Sequence, residues 1–146
     1  MKKIVEKPHL FFFVLAFVLL ITSFFVKNNS IDISIYDIYF AIRFTHICQF
    51  SFAFFVLIGI NYFSLQWVNK TPKKILTLLH IVLQLTALLL LFTKDSWNWV
   101  GNNDLEKFNL ENDNSNLVII ASILIFILAT LVHLINFFSS LLLKRD

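Results

Sequence analysis

Glycine and proline occur only twice each in these 146 residues, and cysteine and methionine once each. So little glycine and proline gives no sign of long re-entrant loops. Cys48, standing alone, excludes an intrachain disulfide and any paired-cysteine metal or redox motif. Charge is scarce as well, at 14% of residues. The net value of +3 is too small and too dispersed to suggest a nucleic-acid partner. No period of 20–50 residues recurs and no low-complexity tract appears. What remains is apolar: 58% hydrophobic and 16% aromatic residues exclude an ordinary soluble domain.

Windows of roughly 20 apolar residues mark helices long enough to cross the hydrocarbon core of a bilayer. Four are present, predicting helices over about 9–26, 38–67 (apolar centre 40–63), 74–93 and 117–142, with a polar loop at 94–116. The expected fold is all-α: a single four-helix transmembrane domain spanning 1–146. The start, MKK followed by an apolar stretch, imitates a secretory signal. Its apolar run is too long for a signal core, and ITSFFVKNNS offers no small-residue cleavage site, so the first helix is expected to be retained.

Lysine and arginine accumulate on the cytoplasmic side of short loops, and their positions set a topology. Lys2, Lys3 and Lys7 precede the first helix, Lys70, Lys73 and Lys74 link the second to the third, and Lys144 and Arg145 follow the fourth. The remaining two loops are acidic or balanced. Both termini are therefore expected in the cytoplasm, and a bacterial inner membrane is the expected location. Trp67, Trp97 and Trp99 sit just past helix ends, where an interfacial aromatic belt belongs.

At 100° per residue, polar side chains align on single faces. The expected stripes are Tyr39, Arg43, His46, Phe50 and Ala53 on the second helix, Thr77, His80 and Gln84 on the third, and Ser122, Ala129, His133, Asn136 and Ser140 on the fourth. Small and polar residues in line are how membrane helices approach and hydrogen-bond to one another. Each histidine therefore has two readings, helix packing and ligation.

The polar stretch Ser30–Cys48, with Asp32, Asp37, two tyrosines, Arg43 and His46, resembles the ninth and tenth helices of subunit I of the haem-copper terminal oxidases. Ser30, Ile31, Asp32, Ile33, Asp37, Tyr39, Phe40 and His46 fall on like residues of that family. The likeness extends more weakly through KKILTLLHIVLQLTALLLLF and ASILIFILATLVHLINFFSSLLLK to the family's last two helices, covering nearly the whole chain. The resemblance implies that His46 holds the position of a low-spin haem ligand. Phe44 replaces the ligand of the oxygen-binding haem, and Tyr36 replaces a histidine that helps hold magnesium. Asp37 keeps the aspartate of that vestigial magnesium position. The family's propionate-binding arginine pair has no counterpart in the 94–116 loop.

Oxygen reduction in that family needs copper-ligating histidines from helices this chain does not have, so an enzyme is not expected. The MKK and LLLKRD flanks read as ordinary cytoplasmic ends of a complete small protein. Bis-histidine haem ligation needs both imidazoles at nearly one depth, with iron–nitrogen bonds of about 2 Å. His46 lies near the outer edge, whereas His80 and His133 lie roughly 9 and 14 Å from the inner face at 1.5 Å per residue. His46 thus has no partner within its own chain, although a twofold axis normal to the membrane would bring a second His46 to the same depth. Phe50 and Leu57 either line a pocket there or fill one. Arg43 either snorkels toward Asp37 or Asp32 or serves a haem propionate, while Asp37 alone makes a poor magnesium site.

Two functions are therefore expected of a chain that is not itself an oxidase. It is an accessory or structural subunit, packed against copies of itself or other membrane subunits in the lipid bilayer, or a haem-binding electron-transfer or haem-handling protein that uses His46.

Overall fold

In the computed structural model of the chain the described residues are 6–26, 30–35, 38–97 and 113–142. They form, in order, helix α1 (Pro8–Phe25), strands β1 (Ser30–Ile35) and β2 (Ile38–Arg43), helix α2 (Phe44–Trp67), helix α3 (Lys74–Phe92), a 3-10 turn at Lys94–Trp97 and helix α4 (Asp113–Leu142). All four helices are long and apolar enough to cross a membrane, over Pro8–Phe25, Phe44–Trp67, Lys74–Phe92 and Leu117–Leu142. α4 begins four residues ahead of its apolar run. The acidic loop beyond Trp97, with Trp99, lies outside the described residues, as do Lys2, Lys3, Lys144 and Arg145.

One element differs from the sequence expectation. Residues 38–43 are not the first turns of the second span but the return strand of an antiparallel hairpin, paired from Ser30 with Arg43 to Ile35 with Ile38. The cause is written in SIDISI, where isoleucine alternates with a polar residue at period two, the signature of a strand rather than a helix. Ile31 is buried, whereas Phe40, Ala41, Ile42 and Arg43 are exposed. The hairpin runs into α2 without a linker: Arg43, with extended backbone, is both the last strand residue and the N-cap of α2. The Thr45 hydroxyl donates to the Val26 carbonyl at 2.7 Å, which ties the first turn of α2 to the residue just past α1.

The chain divides into two compact units, Met1–Leu78 with His133–Asp146, and Leu79–Val132. In the first unit α1 lies antiparallel to α2. The Phe12 ring stacks on Tyr62 and Phe55 with centroids 5.7 and 5.9 Å away, and His9 meets Phe63 edge-on at 5.9 Å. Gly59 allows the closest approach, since a Cβ built there would lie 2.7 Å from a Phe13 ring carbon.

α2 ends in a Schellman turn. Asn69 takes positive φ, its N–H donates to Gln66, and the Lys70 N–H donates back to Leu65. That turn sets the Lys70 ammonium against the Leu141 carbonyl in the last turn of α4, a cation at the negative end of a helix. Lys7, Lys70, Lys73 and Lys74 therefore gather at one end of this unit, as the charge pattern predicts for one side of a membrane.

In the second unit the upper part of α3 packs antiparallel to the first half of α4. The Ser122 hydroxyl donates to the Ala87 carbonyl at 2.8 Å, and Ile81, Ala87, Leu88, Ile119 and Ala129 are buried.

Candidate functional site

Both stripes predicted on α3 and α4 are buried. Thr77, His80, Gln84, Ala129 and Asn136 are fully enclosed, and Ser122, His133 and Ser140 nearly so. Hydrocarbon offers no partner to a hydrogen-bonding group, so such residues turn toward other helices.

In the first unit these groups form one network around Asn136. Its Oδ1 accepts the Lys73 backbone N–H at 3.0 Å, and its Nδ2 donates to the Thr77 hydroxyl at 2.9 Å. The Thr77 hydroxyl donates in turn to the Lys73 carbonyl at 3.1 Å. Asn136 thus caps α3 from another helix, meeting one of the N–H groups that every helix start leaves open. His133 stands three residues earlier on α4. Its ring packs edge-on against Tyr62 at 4.8 Å and beside Phe137 at 6.2 Å, and its Nε2 lies 3.3 Å from the Asn61 amide nitrogen. Tyr62 and Asn61 were not singled out as polar-seam residues; the signal was available in their place on an apolar helix.

The second unit contains His80 and Gln84, one turn apart on α3 and fully buried. Neither atom of the Gln84 amide has a hydrogen-bond partner among the described residues.

The stripe predicted on α2 is corrected in two ways. Tyr39 and Arg43 are strand residues, so they do not continue a helical face through His46. The face that α2 buries is Phe44, Cys48, Ser51, Phe55, Ile58, Gly59, Tyr62 and Leu65. It is set by α1, whose Phe12 and Phe13 dock there. His46, Gln49, Phe50, Ala53 and Leu57 consequently point away from the packed side and are exposed, with Phe50 at 66% and Leu57 at 61%. Among the described residues of the first unit, nothing packs over Phe50 and Leu57 to make a pocket.

His46 lies in the first turn of α2, nearer the helix start than a span beginning at residue 38 would place it. Phe44, the other position singled out by the oxidase resemblance, is buried on the opposite side of that turn. Asp37 and Tyr36 lie outside the described residues.

A haem between two imidazoles needs a second ligand facing the first. Of the remaining histidines, His80 and His133 are buried on α3 and α4, and His9 begins α1 at the lysine-rich end. Of the four histidines only His46 is exposed, with the exposed Arg43 three residues before it. Among the described residues no three of His, Cys, Asp or Glu converge as a metal site would require. Comparison with protein-family models, curated proteins and solved structures finds no match to this chain.

Proposed function

We propose that this chain is a non-catalytic membrane protein resembling oxidase subunit I, and that it acts as an accessory or structural subunit, docking through the outer face of α2. The observation behind this reading is that His46 and Gln49 are exposed on a helix long and apolar enough to cross a membrane, followed one turn on by the small residue Ala53. The polar stripes of α3 and α4 are already enclosed and cannot serve as the docking seam. Polar side chains on a lipid-facing surface are costly and mark a face that meets protein. Ala53 lets a second backbone come close there.

The docking reading has a direct test. With Cys48 replaced by serine, Ala53→Cys should give a disulfide-linked dimer in oxidised membranes. Leu89→Cys, on an exposed face of α3, should not. Replacing His46 and Gln49 together by leucine should sharply reduce the Ala53→Cys product. Equal cross-linking at both positions would sink self-docking through this face.

The haem reading is favoured by one feature, the exposure of His46 and Arg43 at the same end of α2. It requires a second chain to supply the other ligand. A Soret band from the purified dimer that His46→Ala abolishes, with monomers colourless, would establish it. A colourless dimer leaves the accessory role. Oxygen reduction is not proposed, since the resemblance supplies neither copper ligands nor a histidine at Phe44.

The proposed setting is a bacterial inner membrane with the lysine-rich end in the cytoplasm. A cysteine at Asn103, again with Cys48 replaced, should react with an impermeant maleimide in intact cells. Labelling only after lysis would reverse the orientation.

A further inference from the structure

Among the described residues, the lysine-rich end of the first unit sets Lys7, Lys70, Lys73 and Lys74 against a single carboxylate, Glu6, and is net positive. Lys70 is engaged by the Leu141 carbonyl of α4, whereas Lys7, Lys73 and Lys74 are exposed. Two helices also begin there, α1 at Pro8 and α3 at Lys74. Neither has an acidic residue in its first turn, and α1 has no side-chain cap. A helix start is the positive end of its dipole, so lysines beside two such starts add like charge to like.

Next to these cations stands an exposed aromatic wall. Phe63 and Trp67, one turn apart on α2, pack edge to face at 6.0 Å with Trp67 77% exposed, and His9 of α1 packs on the other side of Phe63. Tryptophan at a helix end marks the headgroup level of a bilayer. Cations at that level, over an apolar aromatic surface, match one chemistry: a phosphate whose negative charge is not cancelled by its own headgroup amine, attached to acyl chains.

We infer that this end of the protein holds an anionic phospholipid, its phosphate among Lys7, Lys73 and Lys74 and its chains along Phe63 and Trp67. A zwitterionic lipid offers the wall the same chains but leaves the lysines facing a headgroup ammonium. Free phosphate satisfies the lysines but gains nothing from the wall. The site lies at the end of α2 away from His46, so it does not depend on the docking proposal.

The test uses the full chain in non-ionic detergent, with phosphatidylglycerol, phosphatidylcholine and inorganic phosphate added separately. Native mass spectrometry and thermal unfolding should show retention of, and stabilisation by, phosphatidylglycerol, and the effect should weaken as salt is raised. The variant with Lys7, Lys73 and Lys74 all changed to glutamine should retain phosphatidylglycerol roughly a hundredfold more weakly, from about fivefold for each lysine near an anionic surface. Lys94→Gln, beyond the far end of α3, should retain it as the unaltered chain does. Equal retention of the two lipids by the unaltered chain overturns the proposal even if the triple variant fails to fold. Stabilisation by inorganic phosphate equal to that by phosphatidylglycerol would show an ion site and overturn the lipid assignment.

Discussion

Replacing Asn136 by alanine is expected to lower the unfolding free energy in mixed micelles by about 2–3 kcal/mol. Two partners lose their hydrogen bonds at once: the Lys73 N–H at the start of α3 and the Thr77 hydroxyl. Interhelical hydrogen bonds in membrane proteins average only about 0.6 kcal/mol each, so two account for roughly 1 kcal/mol. The remainder comes from leaving a helix-start donor enclosed without an acceptor. Thr77→Val should cost less, because it removes one arm of the network and keeps the cap on Lys73. In the double variant the losses should be less than additive, since both changes remove the Asn136–Thr77 bond. Strict additivity would mean that the two side chains do not act together. A loss from Asn136→Ala no larger than that from Ser139→Ala, whose hydroxyl bonds only within α4, would mean that the network does not hold these helices.

Gly59→Leu should be comparably damaging for the opposite reason, excess volume. A single added carbon already falls within 2.9 Å of two Phe13 ring atoms. The Phe13 ring can turn to admit one methyl, and alanine gains about 1 kcal/mol of helix propensity over glycine, so Gly59→Ala should be close to neutral. A leucine must instead push α1 from α2, disturbing the stack of Phe12 between Phe55 and Tyr62. Overpacking of this kind costs about 1–3 kcal/mol. Thermal unfolding in detergent should rank unaltered chain and Gly59→Ala together, with Gly59→Leu well below. Equal behaviour of the alanine and leucine variants would show that the two helices do not meet at this point.

The α3 and α4 stripes were legible because both helices bury their polar residues. Thr77, His80 and Gln84, and on α4 Ser122, His133, Asn136 and Ser140, stand at helical spacing on otherwise apolar segments. Hydrocarbon leaves such groups no partner except another helix. The same rule applied to α2 points the wrong way, since His46 and Gln49 are exposed. α2 is apolar almost all round, so spacing alone does not choose its inner face. The choice falls to the fit of Phe12 and Phe13 against Phe55, Gly59 and Tyr62. The hairpin shows a different failure. The alternation of Ile31, Ile33 and Ile35 was visible, but the apolar run that follows it drew residues 38–43 into the neighbouring span.

By itself, then, the sequence determined the number of candidate spans, the gathering of Lys7, Lys70, Lys73 and Lys74 at one end of the first unit, and the burial of the α3 and α4 stripes. Each depends on a property of residue type, namely length of apolar run, charge, or need for a hydrogen bond, that a bilayer imposes wherever the chain goes. Only the tertiary structure decided which side of α2 faces inward, that Arg43 ends a strand, and that Asn136 reaches across to cap α3. Those outcomes rest on shape complementarity and hydrogen-bond geometry between segments far apart in the chain, and residue type alone does not specify either.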